Sequence, residues 1–95
     1  MLGMIDDRTL VFADKGARYD SVRDAAVFDG KDGDRTIRCA ISREALDDHF
    51  DGHNEDPIKV LRANRARIEH EALRKYLEGR TETDGSILIR TGDLL

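Results

Sequence analysis

This chain has no tryptophan, one proline and one cysteine, and Phe, Trp and Tyr together make up 5% of its 95 residues. A core without large aromatics must be filled by Leu, Ile, Val and Ala, which gain stability from many small contacts. The single cysteine, Cys39, excludes an internal disulfide and fits a reducing compartment. No apolar run approaches the roughly 18 residues that a membrane-spanning helix requires, and Met1 to Asp7 carry neither the basic nor the apolar segment of a secretion signal. A cytoplasmic protein with no membrane association is therefore expected. The length suits one domain with one core, so residues 1–95 are read as a single small domain, with 1–7 as a loosely ordered N-terminal tail.

Charge is what the chain has in abundance: 38% of residues are Asp, Glu, Lys or Arg, against about 25% in ordinary domains. The net value of −4 conceals an asymmetry, since residues 1–57 carry 8 basic and 14 acidic side chains whereas residues 58–80 carry 7 basic and 3 acidic. The economical meaning is complementarity within the chain or between two copies, and a nucleic-acid surface is the alternative.

Hydrophobic periodicity organises the chain into strands, two helices and a last strand. Thr9 to Phe12 reads as a first strand, followed by a polar connection around Asp14 to Gly16 and a loop anchored by Tyr19. A second strand is expected at Arg23 to Asp29, ending in the turn formers Gly30 to Asp34. The third, Thr36 to Ile41, alternates, with Ile37, Cys39 and Ile41 on one face and Thr36, Arg38 and Ala40 on the other. Ser42 then caps a short helix running to about Phe50. Asp56 caps a second helix with Pro57 at its first position, where the missing amide costs nothing, and Gly79 is the expected residue just beyond its end. Ser86 to Thr91 reads as a last strand. Strands and helices segregated in this way predict a two-layer α+β domain: an antiparallel sheet of about four strands, with a short and a long helix on one face. Function is expected on the other face, from which Ala40 and Leu88 project.

The long helix, Pro57 to Gly79, has an unusual buried stripe. At about 100° per residue, Ile58, Leu61, Ile68, Ala72, Leu73 and Tyr76 share one face, and Arg65 and Glu69 fall in its middle. One turn apart, they are predicted to form a structural ion pair that fixes how the helix meets the sheet. Replacing Arg65 by Ala would then cost about 2 to 4 kcal/mol by stranding a buried carboxylate.

Several stretches together resemble a known family: Cys39-Ala40-Ile41-Ser42-Arg43-Glu44-Ala45-Leu46 with Phe50, then Asn64-Arg65 with Ile68-Glu69 and Ala72, Lys75-Tyr76, and finally Ile87-Leu88-Ile89. The pattern is similar to that of the small proteobacterial domain of unknown function numbered fourteen eighty-eight, over about residues 8 to 94. The resemblance implies a small α+β protein with two helices on an antiparallel sheet. It brings no activity, cofactor or catalytic residue.

Other constellations are weighed by their spacing. His49 and His53, among Asp47, Asp48, Asp51, Glu55 and Asp56, have ligand types suited to a divalent metal, but Gly52 between them breaks the helical register, and His49 is expected to pack at the helix end beside Phe50. Cys39 on an inward strand position is read as a small core residue, with no cationic group to generate a thiolate. Asp29 to Asp34 lacks the ligand register of a calcium loop and is read as a hairpin turn. Lys59, Arg62, Arg67, Arg74, Lys75 and Arg80 make the second helix basic, yet Glu71 and Glu78 interrupt it and no stacking aromatics are interleaved.

No catalytic, metal or cofactor-binding residue is assigned, and no cofactor is expected. The function expected is that of a non-enzymatic protein-interaction or accessory factor with an unidentified protein partner or a second copy of itself. A nucleic-acid-associated protein using the basic helix 58–80 is the alternative, and the less expected one.

Overall fold

The alternation read over Ile37, Cys39 and Ile41 is present in the computed structural model, which describes residues 8–13 and 15–94. The tail expected over 1–7 lies outside the described residues, as does Asp14 of the first connection. Strand β3 (Ala25–Asp32) and strand β4 (Arg35–Ser42) form the long antiparallel hairpin at the centre of the sheet, joined through Gly33-Asp34.

This hairpin begins and turns later than predicted. Residues 30–32, read as turn formers, stay in the ladder. A Cβ on Gly30 would lie 3.1 Å from Phe12 Cε1 and 3.3 Å from Leu10 Cβ, so glycine is needed there for the close approach of β1 (Val11–Phe12) and not for bending the chain. At the other end, Asp20 Oδ1 accepts hydrogen bonds from the Val22 and Arg23 amides at 3.0 and 3.2 Å, and Asp24 turns left-handed at φ 54°. This local side-chain turn moves the start of β3 from Arg23 to Ala25. It also returns the chain from an unpredicted strand, β2 (Arg18–Asp20), where a loop around Tyr19 was expected. Strands β1 and β2 lie end to end along one edge of β3.

Ser42 Oγ accepts from the Ala45 amide at 3.1 Å and starts helix α1 (Arg43–Phe50), as its position predicts. Asp56 likewise accepts from the Ile58 amide at 2.9 Å, with Pro57 in the first turn. The helix that follows is not continuous. It divides into α2 (Pro57–Ala63) and α3 (Arg65–Leu77) at Asn64, whose φ of −123° and ψ of 25° leave the helical region. The cause is local: Asn64 Nδ2 donates to the Val60 carbonyl at 2.9 Å, the acceptor its own backbone amide would take in a continuous helix, and that amide bonds Leu61 O instead. Helix α3 ends in a Schellman arrangement, with Gly79 at φ +72° and the Gly79 and Arg80 amides bonded to Tyr76 O and Lys75 O.

The buried stripe is centred differently from the one predicted. Helix α3 buries Ile68, Glu71, Ala72, Lys75 and Tyr76, a regular 3, 4, 7, 8 spacing from Ile68. Arg65 and Glu69 fall beside this stripe, with side chains 30% and 23% exposed, and α2 buries Leu61, as expected, together with Val60 rather than Ile58.

Strand β5 (Ile87–Ile89) completes a five-stranded sheet in the order β1 and β2, β3, β4, β5. It pairs with β4 in parallel, correcting the wholly antiparallel expectation. The reason is topological: three helices cross the sheet face and carry the chain back to the end at which β4 began, as a parallel partner requires. A 3₁₀ turn (Thr91–Leu94) follows. The core between sheet and helices is aliphatic, with Ile41, Leu46, Ile68, Ile87, Ile89 and Cys39 fully buried. Each large aliphatic side chain contributes about 1.5–3 kcal/mol on burial. Among the described residues no helix is long and apolar enough to cross a membrane.

Candidate interaction surface on the open sheet face

Strand alternation sends Ala25 and Val27 of β3, Ala40 of β4 and Leu88 of β5 to the face away from the helices. Val27, Ala40 and Leu88 are neighbours across three strands by register. Although no second layer covers them, Ala25, Val27 and Ala40 are only 0%, 4% and 4% exposed. Val27, Ala40 and Leu88 lie at the floor of an open groove of about 600 Å³, walled by the β2–β3 turn, the first turn of α1 and the loop that leads into β5. Three arginines, Arg23, Arg38 and Arg90, and three carboxylates, Glu44, Glu82 and Asp84, line it.

Some of these charges are committed to structure. Arg90 grips Glu82 with both terminal nitrogens, at 2.9 and 3.2 Å, holding the loop against the end of β5. Asp84 Oδ1 accepts from the Ser86 hydroxyl at 2.6 Å and the Ser86 amide at 2.9 Å. These bonds hold the Asp84 carboxyl below its ordinary pKa, assisted by the positive charge of Arg23. Arg23 itself lies 3.8 Å from Asp20. Arg38 and Glu44 are different: both are exposed, and neither side chain takes part in a hydrogen bond or ion pair among the described residues.

The residues singled out from sequence are placed elsewhere. Arg65 donates from Nε and Nη2 to Glu69 Oε2 at 2.9 and 2.7 Å, and Nη2 also reaches Ala13 O at 3.1 Å. The pair therefore ties the start of α3 to the segment after β1, at the half-exposed rim of the core. His49 Nε2 lies 2.8 Å from Thr91 O, so that nitrogen carries the proton, while His53 Nδ1 lies 3.9 Å from Asp47 Oδ2. The two imidazoles thus turn to different partners, and among the described residues no three His, Cys, Asp or Glu side chains are grouped to hold a metal. Cys39 is buried with Sγ 3.6 Å from Ile37 O. Burial first, and the charge of Asp29 second, push its thiol up to about 12, so it stays protonated and a poor nucleophile.

The charged residues that the sequence did not reveal are Glu71 and Lys75 on the buried stripe of α3, and Asp93 in the 3₁₀ turn. Lys75 Nζ donates to Asp93 Oδ2 at 2.7 Å and to Leu88 O at 2.8 Å, covering a carbonyl of β5. Asp93 also receives Arg80 Nη2 at 2.9 Å and the Arg90 amide at 2.8 Å. Burial pushes the Asp93 carboxyl up, but the bonds from Lys75 and the Arg90 amide and the nearby cations outweigh it, and the net shift is downward. Glu71 is held by Arg74 at 2.8 and 3.1 Å. Asn64, a residue type that favours helix ends, is the signal that marks the break before α3. Of the basic residues in 58–80, Arg65, Arg74, Lys75 and Arg80 each meet a carboxylate, and Arg67 lies 5.0 Å over the Phe50 ring.

A family model described as a protein of unknown function, DUF1488, matches residues 10–89. The chain belongs to the DUF1488 family. The matched span takes in the five strands and three α-helices among the described residues of this DUF1488 protein and stops before the 3₁₀ turn that carries Asp93. The crystal structure of a DUF1488-family protein of unknown function from Shewanella loihica PV-4 is similar, with a TM-score of 0.75 at 17% identity. The match covers 86% of this chain and 92% of the Shewanella chain, so the two share a fold. No curated protein matches the chain.

Proposed function

We propose that this DUF1488 protein is a non-enzymatic protein-interaction factor, accessory or regulatory in role, working in the cytoplasm and engaging its partner through the open sheet face. One observation carries the reading: Leu88 with Val27 and Ala40 forms an apolar floor on the side of the sheet that the helices leave uncovered, rimmed by charges of both signs. A polar rim around an apolar centre is the anatomy of a protein interface. Charge patterning supports the same reading. A nucleic-acid role through the basic segment 58–80 rests on Lys59, Arg62 and Arg67, because Arg65, Arg74, Lys75 and Arg80 are already paired with carboxylates.

Site-specific photo-crosslinking in the native cell tests the reading. A crosslinker at position 88 is expected to give discrete protein adducts that an Arg38→Glu background weakens, while one at position 62 gives none. Nucleic-acid adducts from position 62, with nothing from position 88, would replace this reading with the basic-helix one.

A further inference from the structure

We infer that the partner on the open sheet face is a second copy of this chain, packed about a two-fold axis near Ala40 and Leu88, with Arg38 of each copy paired to Glu44 of the partner subunit. The inference rests on the protein-interaction reading above and names its partner.

Charge complementarity carries it. The groove presents arginines and carboxylates in equal number, three of each, within a chain of net charge −4. A uniformly acidic partner would meet Glu44 and Asp84, and a uniformly basic one would meet Arg38. A surface that carries both signs in the reverse order meets both Arg38 and Glu44, and an isologous copy supplies that order by symmetry. Arg38 and Glu44 are the decisive pair, because they are the groove charges whose side chains are unpaired among the described residues. They lie on opposite sides of the apolar floor: Arg38 precedes Ala40 by two residues on β4, and Glu44 follows it by four, in the first turn of α1. A two-fold axis through the floor therefore carries each onto the other. Stacked sheets pack about 10 Å apart, a gap that an arginine and a glutamate reaching from opposite sides span. The same stacking covers Val27, Ala40 and Leu88 with their own counterparts.

Sedimentation equilibrium on the full chain tests this with charge variants. The unmodified protein is expected to dimerise in the micromolar range. Arg38→Glu and Glu44→Arg, each confirmed as folded by circular dichroism, should each weaken self-association about tenfold or more, since every dimer contains the pair twice. An equimolar mixture of the two variants should associate about as strongly as the unmodified protein, because each then meets its opposite. A chain that stays monomeric at high micromolar concentration, or a mixture no tighter than the single variants, would overturn the inference. Crosslinking from position 88 separates the two levels. A monomer whose position 88 captures a different protein, through adducts lost on Arg38→Glu, overturns the dimer and keeps the interaction reading. A monomer that captures nothing overturns both.

Discussion

Lys75 Nζ and Asp93 Oδ2 lie 2.7 Å apart with their side chains only 5% and 13% exposed, joining α3 to the 3₁₀ turn across the edge of β5. A buried ammonium next to a sheet edge is costly unless its donors are satisfied, and here the Leu88 carbonyl takes a second one. The pair covers part of an edge that would otherwise offer an acceptor to a neighbouring strand.

Removing Asp93 should therefore hurt more than removing Lys75. Asp93→Ala leaves the ammonium with one carbonyl and is expected to cost about 3–5 kcal/mol. Lys75→Met leaves Asp93 with Arg80 and the Arg90 amide, and puts a flexible apolar chain in the same space, at about 1–2 kcal/mol. Urea denaturation of the two variants measures the order, and equal costs would contradict it.

Acid should weaken the same junction. The folded pKa of Asp93 is lowered from its ordinary value, with burial opposing and Lys75 and the Arg90 amide prevailing. Below the unfolded pKa, about 3.9, the unfolded chain binds more protons than the folded one. The contribution is thus fully present above that value and is lost as pH falls through the folded pKa. Asp93→Asn, which does not titrate at this position, is expected to show a shallower loss of melting temperature between pH 5 and pH 2.

Arg65→Ala should cost about 1 kcal/mol, at the upper end for an exposed pair, and not the 2 to 4 kcal/mol that a core position would impose. Both partners keep a quarter or so of their side-chain surface in water, so Glu69 is resolvated when Arg65 is removed. A thermal melt compared with that of Asp93→Ala checks the ranking.

The Cys39 thiol should be silent in the folded protein. With its pKa raised to about 12 and no exposed surface, a thiol-specific reagent at pH 8 is expected to react only as fast as the chain unfolds, and at once in denaturant. Rapid stoichiometric labelling under native conditions would show access that burial forbids.

What could be read without the structure was local. Ser42, Asp56-Pro57 and Gly79 announce helix ends because each acts through backbone groups within four residues of itself. The alternation of Ile37, Cys39 and Ile41 announces a half-buried strand for the same reason and places Ala40 on the face that became the candidate site, as that of Ile87 and Ile89 places Leu88. Asn64 was legible in principle, since its side chain competes only with its own helix.

The rest depended on partners distant in the chain. Strand β2 is three residues without an apolar pattern, and it exists because β3 pairs with it. The direction of β5 follows from where three helices return the chain, which no property of Ile87 to Ile89 encodes. The same distance hid the Lys75–Asp93 pair and the groove, whose walls come from the β2–β3 turn, α1 and the loop before β5. Amino-acid sequence alone determined where the elements start, stop and turn their apolar sides, because those choices are settled by interactions spanning one turn or one pleat. Tertiary structure alone decided which charges are buried, which are paired and which remain open on the sheet, because the free energy of a charge depends on groups that only folding brings within a few ångströms.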